Sequence, residues 1–181
     1  MGQGRTCGSS RMQTCAAVPK TDTTMITIEF LADHPDTIPT LTKWFRDQWP
    51  DYYEDWSPAE MEQDFLEDVS RNSLPSRLVA FEDNALAGTI VLRENDGTMP
   101  PEFRPELGGL YVVESHRRRG IATELVRAGM KLALDQGYET VFATTVSAAG
   151  ILEHLGWEFI KTVVHSDGEL SLYRCKLYNS A

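Results

Sequence analysis

Cysteine is scarce in this sequence, with three in 181 residues, and two of them, Cys7 and Cys15, lie near the start. Only Cys175 falls where hydrophobic patterning is sustained, so no disulfide framework can staple the domain, and a reducing, cytoplasmic home is expected. The four histidines (His34, His116, His154 and His165) are scattered, no Cys/His spacing resembles a metal site, and no metal is expected. Long apolar runs are missing too: none approaches the roughly 18 residues of a transmembrane helix, so no membrane partner is expected. Basic residues are also short, with 17 Lys and Arg against 27 Asp and Glu and a formal net charge of -10. Neutralisation of phosphates by Lys and Arg supplies most non-specific nucleic-acid affinity, so a nucleic-acid-binding module is excluded at the outset.

The length suits one domain with a sizeable core, and 41% hydrophobic with 24% charged residues is an ordinary globular composition. The first 24 residues differ from the rest. They carry Arg5, Arg11 and Lys20 against one acid, Asp22, are rich in Gly, Ser, Thr and Gln, and read as a disordered tail. Met1-Gly2 with Thr6 fits an N-myristoylation pattern that Cys7 could reinforce, and a basic, acid-poor leader is a second reading. The preferred one is an upstream extension, with the domain occupying residues 25–181.

From Met25 to Leu31, β-branched and apolar residues predict a first strand. Ile38, Leu41, Phe45 and Trp49 then recur at helical spacing until Pro50, with Phe45 and Trp49 expected in the core. Ser57-Pro58-Ala59-Glu60 combines an N-cap serine, Pro at the first helical position and a capping-box glutamate, and predicts a helix to about Asn72. Strands are expected over Arg77 to Glu82 and Leu86 to Arg93 around an Asp83-Asn84 hairpin turn, and over Glu106 to Glu114 after the Asn95-Asp96-Gly97 loop. A long helix from Gly120 to Gln136 stops at Gly137; a strand (Thr140 to Val146), a short helix (Ala148 to Leu155) and a closing hairpin (Trp157 to Val164, Leu170 to Leu177) complete one α+β domain.

The chemistry concentrates where Leu110-Tyr111-Val112-Val113 runs through a short loop into that long helix. Helix N-termini present unpaired N–H groups and partial positive charge, which makes them anion sites. Arg117, Arg118 and Arg119 stand immediately before this one, where cations cost roughly 0.3 to 1 kcal/mol each without a ligand. Gly120 and the small Ala122 let backbone approach an anion closely. The segment lacks both G-x-G-x-x-G and the P-loop glycines with Lys-Ser/Thr, which leaves the pyrophosphate of another cofactor as the best ligand.

Arg117-Arg118-Arg119-Gly120-Ile121-Ala122, placed after a strand, resembles the Q/R-x-x-G-x-G/A signature of the GCN5-related N-acetyltransferases, and the order of elements resembles theirs from Met25 to Leu177. The resemblance implies a GNAT-like acyl-CoA N-acyltransferase fold, a mixed, mostly antiparallel sheet flanked by helices. It implies acetyl-CoA as cofactor, bound by Val112, Val113, Arg117, Arg118, Arg119, Gly120, Ile121, Ala122 and Thr123: pyrophosphate on the amides of about Arg118 to Thr123, pantetheine paired with the strand at Val112 and Val113, and loop arginines reaching the adenosine phosphates. It also implies a strand glutamate as general base eleven residues before the signature, which is Glu106 here. The chain departs from the family's pattern in the short helix, where Leu152 replaces the usual tyrosine general acid and Thr145 the usual asparagine seven residues earlier. His154, Tyr111 and Tyr173 are the other candidate acids.

The resemblance further implies that acceptor choice falls largely to the first two helices and their loop. From Asp51 to Asp68 this chain has eight acids and no base, interleaved with Tyr52, Tyr53 and Trp56. Carboxylates such as Glu54 and aromatic faces suit a cation, at roughly 0.5 to 2 kcal/mol per cation–π contact. An N-acetyltransferase for a small cationic or peptide amine, monomeric or homodimeric, is expected, with a catalytically weak acyl-CoA sensor as the rival.

Overall fold

The computed structural model describes residues 24–94, 99–165 and 168–178. The acylation, leader and extension readings of the tail, with Cys7 and Cys15, lie outside the described residues, as does the Asn95-Asp96-Gly97 loop.

Strand β1 (Ile26–Phe30) leads to helix α1 (Ile38–Gln48), which buries Ile38, Leu41 and Phe45 on one face. Helix α2 (Pro58–Glu67) starts on the expected capping box: Glu60 N donates to Ser57 Oγ and Ser57 N to the Glu60 carboxylate. It ends at Glu67, five residues before Asn72, because Asp68 is drawn into the sheet instead. The Asp68 carbonyl accepts from Arg77 N at 3.0 Å, its carboxylate accepts from Arg77 Nε at 2.6 Å, and Val69 bridges to Ser76.

Strands β2 (Ser76–Glu82) and β3 (Ala85–Arg93) form the expected hairpin, with Asp83 and Asn84 both at positive φ, the conformation that matches strand twist. Strand β4 (Glu106–Val112) stops two residues short of Glu114, since Glu114–His116 turns as a 3-10 helix toward α3 (Ile121–Asp135). Then come β5 (Thr140–Thr145), α4 (Ala149–His154), β6 (Glu158–His165) and β7 (Gly168–Lys176).

All seven strands form one sheet in the order β1-β2-β3-β4-β5-β7-β6, antiparallel except between β4 and β5. The expected mixed, mostly antiparallel α+β architecture is present. Two separate apolar clusters stabilise it. Leu125, Val126 and Leu132 of α3 pack with Leu78, Ile90, Leu107, Val141 and Trp157 in the larger one. Leu31, Leu41, Phe45, Met61, Phe65 and Val79 make the smaller one under α1 and α2. Gly129 brings α3 close to β4: a Cβ there would fall 2.4 Å from Leu107 Cδ1.

The two parallel strands meet at a single register pair, Glu106 with Phe142, reinforced by a 3.0 Å bond from Phe142 N to the Pro105 carbonyl. Past that apex the sheet opens. Among the described residues no helix is long and apolar enough to cross a membrane.

Candidate active site

The opening between β4 and β5 is a cleft of about 930 Å³. Leu107 to Val112 line one wall and Ala143 to Ala148 the other, with Ile90 and Val126 from the core and Gln48 and Trp49 from the end of α1. Its volume and largely apolar walls suit a small-molecule ligand.

One end of the cleft meets the start of α3. Gly120, the N-cap, has φ +88, no side chain caps the helix, and a Cβ on Gly120 would meet nothing within 4 Å. The first amides of α3 therefore open on free space beside Gly120, Ile121, Ala122 and Thr123, all of which line the cleft. The three arginines have three different surroundings. Arg117 donates from Nε to the Val112 carbonyl at 2.8 Å and stands over the Tyr111 ring at 5.8 Å. Arg118, at φ +65, lines the cleft and has no ion-pair partner among the described residues. Arg119 does not reach the cleft: its Nη1 pairs at 2.8 Å with Glu82, a buried carboxylate that His116 also faces at 3.6 Å. Glu82 lies 37 residues from Arg119 in sequence, so spacing gives no sign of that partner.

The strand residues divide as well. Val113 N donates to the Ala87 carbonyl at 2.9 Å, and Val113 is not part of the lining. Gly88 and Val112, next in register, are then the non-bonded pair, so the Val112 N–H points away from β3 into the gap. Gly88 is required by closeness: a Cβ there would sit 2.6 Å from the Tyr111 carbonyl oxygen. Gly88→Ala is expected to push β4 outward and lower stability by about 2 kcal/mol, read from a urea unfolding midpoint.

Farther along β4 the register slips, with Gly109 and Leu110 opposing the single residue Ile90. Such a bulge takes backbone groups out of the ladder. Gly109 adopts φ +56, and a Cβ there would meet Val91 Cγ1 at 3.3 Å and Arg77 Nη1 at 3.4 Å. Reading the sequence alone misses this feature, although the Gly108-Gly109 pair inside a strand is its signal.

Glu106, at the apex, is 1% exposed. Its Oε2 accepts from Arg93 Nε and its Oε1 from Thr144 Oγ1, each at 3.3 Å. It does not line the cleft itself, whereas Thr144 does.

Tyr52, Tyr53, Glu54 and Trp56 are likewise outside the lining. The three aromatics form an edge-to-face chain beside α1, with ring centroids 4.8 and 5.7 Å apart, and the Trp56 carbonyl accepts from Arg46. Burial, with the nearby Tyr52 phenol, pushes Tyr53 up to about 12, so it stays neutral. From the end of α1, Trp49 does reach the cleft. Phe45 is in the core as expected, but Trp49, at the C-cap of α1, is 36% exposed and packs against Tyr111.

Leu152 is buried and lines the cleft. Tyr173 donates its hydroxyl to Glu153 Oε1 at 2.8 Å, and that carboxylate pushes its phenol up. Neither Tyr173 nor His154 lines the cleft, while Tyr111 does. Among the described residues no group of His, Cys, Asp and Glu could hold a metal ion.

The profile of the Acetyltransferase (GNAT) family matches residues 41–157 of this chain. Human N-acetyltransferase 8 is 31% identical over 101 residues, which is 51% of this chain and 44% of that protein. The chain thus spans less than half the length of this relative. The aminoglycoside 6′-N-acetyltransferase from Enterococcus faecium shares the fold at a TM-score of 0.64 and 20% identity, covering 87% of this chain and 99% of its own. An aminoglycoside 6′-N-acetyltransferase complexed with coenzyme A gives the same score, identity and coverage.

Proposed function

The chain belongs to the GNAT acetyltransferase family, and on that premise we propose that it transfers the acetyl group of acetyl-CoA to a primary amine on a small cationic molecule or a peptide. The observation that carries this reading is the coincidence of a cleft in a splayed sheet with an uncapped helix N-terminus. The open space at Gly120 and the Arg118 side chain, without an ion-pair partner among the described residues, fit a pyrophosphate. The Val112 N–H facing the gap fits the amide-bearing arm of the cofactor.

In this reading the amides from Gly120 to Thr123 and the Arg118 guanidinium hold the phosphates, and Arg117 fixes the strand end through the Val112 carbonyl. Val113 and Arg119 support that loop from behind, through Ala87 and Glu82. Acetyl-CoA supplies an activated acyl carbonyl. The N–H groups that the bulge at Gly109 and Leu110 takes out of the ladder would donate to its oxygen, where negative charge develops. Glu106 takes the amine's proton, one hydrogen bond removed from the cleft through Thr144. The acids between Asp51 and Asp68 surround the α1–α2 region, and Tyr52, Tyr53, Glu54 and Trp56 guide a cation toward Trp49.

Glu106→Gln is expected to lower kcat by about 100-fold, most strongly at low pH, where the amine is protonated and needs a base. Acetyl-CoA affinity should stay near the wild-type value. A wild-type pH–rate profile in the variant would remove Glu106 as base. Leu152 in the cleft wall favours a second reading, an acyl-CoA-binding sensor with little turnover.

A further inference from the structure

Two threonines of β5 line the cleft, and their hydroxyls are committed differently. Thr144 Oγ1 donates to Glu106. Thr145 Oγ1 accepts two backbone N–H bonds in the turn entering α4, from Ala148 at 2.7 Å and from Ser147 at 3.1 Å. A hydroxyl has two lone pairs and one hydrogen. Both lone pairs of Thr145 are therefore used, and its hydrogen has no acceptor among the described residues. Two donors on one oxygen also polarise the remaining O–H and make it a stronger donor.

The strand register says where Thr145 stands in the cleft. Glu106 and Phe142 are paired at the apex of two parallel strands. Three residues along each strand stand Gly109 and Thr145, roughly 10 Å from the apex at about 3.3 Å per residue. Thr145 is thus across the cleft from the β4 bulge, while Leu152 on the same side offers only carbon.

We propose that the Thr145 hydroxyl donates its hydrogen bond to the sulfur of acetyl-CoA and stabilises the charge that sulfur acquires. This rests on the acetyl-transfer reading above. As the amine nitrogen bonds to the carbonyl carbon, the carbon–sulfur bond breaks and its electron pair stays on sulfur. The resulting thiolate accepts the Thr145 hydrogen bond, and water supplies the proton that makes the free thiol. Thr145 keeps its own proton throughout, because an aliphatic hydroxyl is a far weaker acid than a thiol.

The test is an ultraviolet titration of coenzyme A bound to the full-length protein, following thiolate absorbance against pH, with binding measured separately by calorimetry. A donor to the thiolate makes the bound thiol ionise more readily than the free one. Thr145→Val should reduce the ionisation constant of the bound thiol about tenfold, while Thr145→Ser leaves it near wild type. Because Thr145→Val leaves two backbone N–H groups unanswered, Thr145→Asn and Thr145→Asp serve as a pair that both preserve an acceptor for the turn. The Asn variant, which retains a donor, should resemble wild type, and the Asp variant should ionise less readily. Equal thiol ionisation in wild type and in the Val and Asp variants would overturn the role of Thr145 and leave the cofactor reading intact. Failure of the wild-type protein to bind coenzyme A would overturn both.

Discussion

Gly120→Glu is expected to weaken acetyl-CoA binding by at least about 100-fold while leaving the fold in place. Gly120 sits at φ +88, so any side chain there adopts a left-handed backbone at roughly 1 to 2 kcal/mol. A Cβ meets nothing within 4 Å, so no clash with the protein adds to that strain. The new carboxylate instead enters the open space at the start of α3. A carboxylate beside a helix N-terminus is itself stabilising by roughly 0.3 to 1 kcal/mol, which offsets part of the strain. The same carboxylate competes for the amides that a pyrophosphate needs and repels its charge. Calorimetry with acetyl-CoA reads the affinity and thermal unfolding reads the fold. Gly120→Ala separates the effects, since it introduces the strain without the charge and should cost much less affinity. Unchanged binding in Gly120→Glu would remove the α3 N-terminus as the phosphate site.

The largest expected effect on stability is at Asp68. Arg77 is 4% exposed and Asp68 8%, and the guanidinium lies 4.5 Å from the Phe65 ring centroid and 5.3 Å from that of Phe45. Asp68 is its ion-pair partner, and Arg77 Nη1 has no hydrogen-bond partner among the described residues. Removing the carboxylate leaves a buried cation between aromatic rings, so Asp68→Ala should lower stability by about 3 to 5 kcal/mol. That is a large part of a typical domain's total. The paired change Asp68→Leu with Arg77→Met should restore most of it, because no charge is then stranded. Urea unfolding of the single and paired variants measures both. A loss under about 1 kcal/mol in Asp68→Ala, the range of an exposed pair, would show that the interaction contributes little.

Elements governed by near neighbours along the chain are legible in the sequence itself. The capping box at Ser57 to Glu60, the turn at Asp83-Asn84 and the glycine opening α3 all act within a few residues, and each is where spacing predicts it. Long-range partners are not legible in this way. In the sequence Asp68 is one more acid in a run of acids, yet Arg77 draws it into the sheet and shortens α2. The family resemblance makes Arg119 a cofactor residue, and nothing along the chain signals that buried Glu82 pairs with its guanidinium from another strand. Trp49 follows Phe45 at helical spacing, but the helix ends there and turns the indole to the cleft. The bulge at Gly109 depends on strand pairing, which periodicity along one strand cannot reveal.

The most direct test of the acetyltransferase reading is thiol release from acetyl-CoA by the purified chain, measured over a panel of cationic amines and peptides. Amine-dependent release, with the acetylated amine identified by mass, is the predicted result. Tight coenzyme A binding without thiol release from any acceptor would contradict it and favour a sensor.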